Sequence, residues 1–194
     1  KNINGLWVVQ ECRRVWKERG NDWSYRELAA MASGAERLQS FIDPDDTRFA
    51  GRCNMPLVIQ DYCRETGQNV PEGAAEILRL VTDSLAMKIR FVLERLEEVI
   101  GYRIEVLHII GGGGQNDQLN KSIASSINRP VVVGPYEATA AGNVMMQKVA
   151  LDGLRSLGES RDLIRESFQT RHFEPAHPDD WDTAYVRFRN LLNL

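Results

Sequence analysis

The chain of 194 residues is 43% hydrophobic and carries 24 Lys and Arg against 27 Asp and Glu, for a formal charge of -3. That length suits one domain, or one lobe of something larger. The charges are interspersed, with no basic stripe and no like-charge block, so nucleic acid is excluded as a partner. No run approaches the roughly 20 apolar residues of a membrane span, which excludes a membrane partner as well.

The amino terminus, KNINGLWVVQ, lacks both the apolar core of at least roughly seven residues and the cleavage site of a signal peptide, so the chain reads as cytoplasmic. Cys12, Cys53 and Cys63 have no C-x-x-C spacing and fit reduced thiols, with no metal held by cysteine. The chain opens on Lys1 and runs almost at once into GLWVVQECRRVW, as a sequence cut inside a longer protein would.

Leu6, Val9, Val15 and Trp16 recur at helical spacing and predict a helix over 6–19, stopped by Gly20. Ser24 caps a second over 25–33, ending at Gly34. SFIDPDDTRFAGRCNM reads as an extended loop, and a short helix over 56–65 stops at Gly67. Pro71 opens the longest helix, to Val99, with a core stripe of Ile77, Val81, Leu85, Ile89, Val92, Leu96 and Val99, while Glu76, Arg79, Arg90, Glu94 and Glu98 occupy other faces.

After Gly101 the period changes: RIEVLHII reads as a strand buried on both faces, with His108 packed inside it. NDQLNKSIASSI is a helix, PVVV a second strand and EATAAGNVMMQKVAL a further helix, with Glu137 as its cap or as an organiser of the hinge side of a cleft, which together make a βαβ unit with parallel strands. Helices over 159–168 and after Asp179 or Asp180 complete the chain, the last with Trp181, Tyr185 and Phe188 on its apolar face, while His172 and His177 fall in a surface loop. Trp7, Trp16, Trp23 and Trp181 are expected in the core or between lobes. Two parallel strands make a poor core alone, which implies further strands encoded before Lys1.

Four consecutive glycines, Gly111 to Gly114, stand between the first strand and its helix. Ligands of open α/β sheets bind at that end of the strands, and glycine lets a nucleotide approach the main chain with no Cβ in the way. Asn116 and Asp117 follow as helix caps or as groups for a base edge. The dinucleotide fingerprint G-x-G-x-x-G fails, because a start at Gly111 meets Asn116 in its last position and a start at Gly112 meets Asp117, and no Gly-Lys-Ser/Thr follows for a Walker A loop.

The segment IIGGGGQNDQLNKSIASSINRPVVVGPYEATAAGNVMMQ resembles the adenosine-binding region of the FGGY carbohydrate kinases, of the actin, hexokinase and Hsp70 superfamily. NINGLWVVQECRRVW, FIDPDDTRF, CRETGQNVP and DSLAMKIRFVLERLEE are similar to the branch acting on L-rhamnulose. The resemblance implies an α/β, RNase H-like carboxyl-terminal lobe, helix-dominated with a small parallel sheet, spanning 1–194 without its amino-terminal lobe.

It further implies phosphoryl transfer from MgATP to the 1-hydroxyl of L-rhamnulose or a related ketose. ATP would be held by Gln10, Gly111, Gly112, Gly113 and Asn116, and the sugar by Asn2. No metal ligand is implied in this chain, and the catalytic base is expected in the other lobe, leaving this chain inactive by itself. Other sugars of the family (xylulose, fuculose, gluconate, glycerol) and a non-catalytic nucleotide-binding module are the rival readings. Oligomeric state is not legible.

Overall fold

A computed structural model describes residues 3, 5–151, 153 and 155–192. Helices α1 (Trp7–Glu18), α2 (Tyr25–Gly34) and α3 (Met55–Glu65) precede the long α4 (Ala74–Ile100), and a 3₁₀ turn, Thr47–Phe49, interrupts the loop before α3. Strand β1 (Leu107–Ile109), α5 (Asp117–Ile127), β2 (Val131–Val133) and α6 (Ala138–Ala150) follow, then α7 (Leu157–Ser167), β3 (Arg171–Phe173) and α8 (Pro178–Leu191).

The start signals act as read. Ser24 accepts the Glu27 amide while the Glu27 carboxylate accepts the Ser24 amide, a reciprocal cap. Gly101 ends α4 at φ +77°, where a side chain would be strained. Pro71 lies ahead of the longest helix, not in it: α4 begins after Gly73, whose amide donates to the Glu76 carboxylate at 3.4 Å.

At 27 residues, α4 runs about 40 Å through the middle of the molecule. It packs against α1, α2, α3, α5 and α8. Its first half is buried on nearly every side, from Ile77 to Lys88, so Arg79, Asp83 and Lys88 lie inside the core despite their charge. The expected stripe holds at Ile77, Val81 and Leu85 but fails at its far end: Leu96 is 47% and Val99 84% exposed, because α4 outruns the elements packed on it.

The buried charges are paired. Arg79 Nε meets both Asp83 oxygens at 3.1 and 3.0 Å, and Asp83 also accepts the Leu38 amide at 2.9 Å and the Ser122 hydroxyl at 3.1 Å. Lys88 Nζ reaches Asp43 at 2.7 Å and Asp45 at 3.2 Å, fastening the 41–49 loop to the helix.

The sheet differs from expectation in two ways. Its order is β1-β2-β3, with β1 and β2 parallel in the register Leu107↔Val131, but β3 lies antiparallel against β2, Val133↔Arg171. It is therefore mixed rather than parallel. His172 belongs to this third strand, not to a loop, although it is exposed as expected. Among the described residues one face of β1 is left uncovered, so the strand is not buried on both: His108 is exposed, correcting its place in the core, and Val106 and Ile110 are 38% and 60% exposed. Trp16 and Trp181 are core residues, Trp23 packs edge-on to Trp16 at 5.7 Å, and Trp7 is 37% exposed. Glu137 occupies the N-cap position of α6 but makes no side-chain cap.

Glu97 and Arg129 pin the end of α4 to the turn before β2, with Nη1–Oε1 2.5 Å and Nη2–Oε2 3.1 Å, and the Ile104 amide joins Oε1 at 2.6 Å. The Arg129 guanidinium holds the Glu97 carboxyl below the ordinary glutamate range. A carboxyl depressed in the fold contributes stability above the free-glutamate value of 4.5 and loses it as pH falls below that value. Thermal unfolding followed from about pH 6 to about pH 3 should show a falling midpoint, with a shallower fall in Glu97→Gln because one of the carboxyls that bind protons on unfolding is gone.

Candidate nucleotide site

A cleft of about 720 Å³ opens between α2, the start of α5 and the turn that leaves β1. That volume is within the usual range for a small-molecule site. Leu6, Val9 and Leu28 with Leu78 supply apolar lining, and Gln10, Gly112, Gly113 and Asn116 line the same space. Of the sequence-predicted residues, these four are brought together. Gly111 is not among the lining residues, and Asn2 lies outside the described residues.

The four glycines are glycine for different reasons. Gly111 has φ +80°, which disfavours any side chain. Gly114 is buried, and a Cβ there would stand 2.5 Å from Val133 Cγ1 and 3.5 Å from Ile109 Cγ2. Gly112 and Gly113 satisfy neither condition: a Cβ on either would meet nothing within 4 Å, and neither has a positive φ.

The fold thus requires glycine at the two ends of the turn and not at its two middle positions, which are the ones exposed in the cleft. Their amides donate no backbone hydrogen bond among the described residues, whereas Gly114 donates to Gly111 at 3.2 Å and Asn116 to Gly113 at 3.4 Å. Bare main chain with free N–H groups is the chemistry that receives an anionic ligand.

Asn116 fulfils the structural role and keeps a functional group in reserve. Its Oδ1 accepts the Leu119 amide at 3.1 Å as the cap of α5, which leaves the Nδ2 donor uncommitted by that bond. Gln10 is exposed on α1, facing the cleft across from the turn. The rim is closed on another side by the Ser33 hydroxyl, which donates to Gln118 Oε1 at 3.0 Å and links α2 to α5.

Sequence reasoning missed Arg171. It lines the cleft from β3, pairs with Asp117 and donates from Nη2 to the Gly114 carbonyl at 2.7 Å. A three-residue strand 54 residues from Asp117 carries no local signal of this contact. Asp117, the sole carboxylate among the described lining residues, is thereby neutralised. No cluster of His, Cys, Asp and Glu suited to a metal occurs among the described residues. No helix among them is long and apolar enough to cross a membrane.

The profile of the FGGY family of carbohydrate kinases, C-terminal domain, matches residues 1–151. The chain belongs to that family. It is 43% identical over 192 residues to the Bacteroides thetaiotaomicron protein named rhamnulokinase, an alignment that takes in 99% of this chain and 39% of that one. The chain therefore spans about two fifths of the length of this FGGY relative.

Among solved FGGY kinases, the xylulose kinase of Rhodospirillum rubrum superimposes with a TM-score of 0.68 over 96% of this chain and 37% of its own, at 16% identity. Plasmodium falciparum glycerol kinase with ADP gives 0.62 over 96% and 36%, at 15% identity. At those identities the likeness is one of fold: the carboxyl-terminal lobe of the actin and hexokinase-like architecture, helix-dominated around a small sheet. The family profile ends at residue 151, ahead of α7, β3 and α8, whereas the rhamnulokinase alignment takes in nearly the whole chain.

Proposed function

We propose that this chain is the nucleotide-binding lobe, residues 1–194, of an ATP-dependent kinase that phosphorylates L-rhamnulose at its 1-hydroxyl. The observation that carries the reading is the pair Gly112 and Gly113, bare in the cleft without any need of the fold. The 43% identity to a protein named rhamnulokinase supports the choice of sugar.

In phosphoryl transfer the protein positions the reactants and stabilises charge on the transferring group. Here the apolar cleft would take the adenine, with Asn116 Nδ2 donating to the base and Gln10 closing over it. The free amides of Gly112 and Gly113 would meet the phosphates, with Gly111 setting the turn. Asp117 is committed to Arg171, so the described cleft offers no free carboxylate to take the hydroxyl proton. That base, and groups for the sugar besides Asn2, belong to the remaining three fifths of the relatives' length.

Magnesium arrives on the ATP phosphates, its usual mode, and helps to neutralise their charge; no described carboxylate cluster of this chain is suited to hold it. The edge of β1 that has no partner strand among the described residues, with Val106 and Ile110 exposed, and the exposed Val144 and Met146 of α6 are surfaces for the rest of the protein to cover. The cytoplasm, where ATP is abundant, is part of the same proposal.

A substrate panel on the full-length protein tests the reading. L-rhamnulose should be phosphorylated in strong preference to xylulose, gluconate and glycerol, and a preference for one of these would replace the proposed sugar with another of the same family. Calorimetry with ATP should show weaker binding in Asn116→Ala, by about tenfold for the loss of a base contact and the helix cap together. An unaltered affinity would remove Asn116 from the site.

A further inference from the structure

We propose that Arg171 is a positioning residue for the glycine turn, holding the main chain in the geometry that presents Gly112 and Gly113 to nucleotide phosphates; the inference rests on the nucleotide reading above. The argument begins with what the turn lacks. Glycine has the widest backbone freedom of any residue, so the middle of a four-glycine stretch keeps one shape only where its flanks are tied down.

One tie is internal. The Asn120 side chain, fully buried on α5, donates to the Gly114 carbonyl at 2.8 Å. The second comes from β3, where Arg171 Nη2 donates to the same carbonyl at 2.7 Å. Both lone pairs of that oxygen are thereby occupied, and the peptide plane following Gly114 is fixed from the buried side and from the cleft side at once. Nη1 of the same guanidinium takes the Asp117 carboxylate, tying the turn to the first residue of α5.

The arginine is itself held, its guanidinium carbon 5.6 Å from the ring centroids of both Tyr136 and Phe173. Tyr136 is also one of the groups a Cβ on Gly114 would meet, at 3.6 Å. Ring, guanidinium and turn therefore form a single packed unit. The planar fork is what allows one side chain to reach two acceptors, which a lysine ammonium does less well. Charge points the same way: the sole carboxylate among the described lining residues would repel a phosphate if unpaired, and Arg171 cancels it.

Arg171 lies beyond the residues matched by the family profile, in the segment shared with the rhamnulokinase relative. The site of this chain thus draws on an element outside the common domain.

The test uses the full-length protein and separates phosphate recognition from base recognition. Calorimetry is performed with ADP and with adenosine on the wild type, Arg171→Met and Arg171→Lys, alongside steady-state kinetics and hydrogen exchange of the Gly111 to Asn116 amides. Arg171→Met should weaken ADP by about tenfold and adenosine by less than about twofold, with faster exchange in the turn and a raised KM for ATP at unchanged KM for the sugar. Arg171→Lys, which keeps the charge beside Asp117, should recover part of the ADP affinity, and it carries the test should the methionine variant not fold.

Equal losses for ADP and adenosine, or unaltered ADP binding with unaltered exchange, would overturn the proposal while leaving the nucleotide site intact. A wild type that binds neither ligand would overturn the nucleotide reading itself.

Discussion

Asp83→Ala is expected to lose about 3–5 kcal/mol of stability, the largest effect of any single substitution argued from this fold. The residue is fully buried in the middle of α4. Burial pushes its carboxyl above the ordinary range, while the Arg79 guanidinium, the Leu38 amide and the Ser122 hydroxyl all favour the ionised form. Removing the carboxylate leaves Arg79, itself only 8% exposed, without its counter-charge and strands the Leu38 amide in the core.

That is the situation in which deleting one member of a buried pair costs more than the pair contributed. Asp83→Asn keeps an acceptor for Leu38 and Ser122 but not the charge, and should fall between wild type and alanine. Urea unfolding measures both, and in a chain of this size 1 kcal/mol corresponds to about 2–4 °C in the thermal midpoint. A loss below about 1 kcal/mol for the alanine variant would mean that Arg79 finds solvent easily and that the network is marginal. The double variant Arg79→Met with Asp83→Leu, replacing both charges by apolar groups, should be milder than Asp83→Ala alone.

Asp83 also marks a limit of sequence reading. Helical periodicity found α4 and its core-facing residues Ile77, Val81 and Leu85, because a single helix with one apolar stripe writes a period of 3.6 into the chain. Periodicity carries no record of what packs on the other faces. Where α2, α5 and the 38–42 segment enclose the first half of α4, polar residues such as Arg79, Asp83 and Lys88 go inside, and Asp83 and Lys88 are matched by partners 39 to 45 residues away, Leu38, Ser122 and Asp43. At the other end the stripe continues to Leu96 and Val99, which no described element buries.

The parallel pair β1–β2 is present as expected, and the antiparallel third strand was not legible for a related reason. Val131 and Val133 announce a strand by composition, but Arg-His-Phe does not, and β3 exists because β2 offers it an edge. His108 was placed in the core on the assumption of a sheet covered on both faces, and among the described elements the helices cover one.

The cleft was legible where chemistry is local: a glycine run after a strand and an asparagine at the next helix start. The share of the site contributed by β3 was not, since Arg171 meets Gly114 across 57 residues.

The glycine turn supplies the second large prediction, a separation of stability from binding among neighbouring residues of one type. Gly112→Ala and Gly113→Ala add a methyl group into open space at ordinary φ, so the fold should tolerate them within about 0.5 kcal/mol, or gain up to about 1 kcal/mol from a less flexible unfolded chain. In the cleft the same methyl group stands where a phosphate would approach the amide, and ADP affinity should fall by at least about tenfold.

Gly114→Ala should behave in the opposite sense. Its Cβ would lie 2.5 Å from Val133 Cγ1, on a strand fixed in the sheet, and the overpacking should cost about 1–3 kcal/mol. Gly111→Ala, at φ +80°, should lose about 1–2 kcal/mol through backbone strain. Melting curves and ADP titrations on the four full-length variants read both axes. If the two middle variants are stable and bind ADP as the wild type does, the bare main chain does not face the ligand, and the cleft contacts nucleotide by its side chains or not at all. If they are instead as unstable as Gly114→Ala, the turn is closed against its neighbours and the four glycines serve the fold alone.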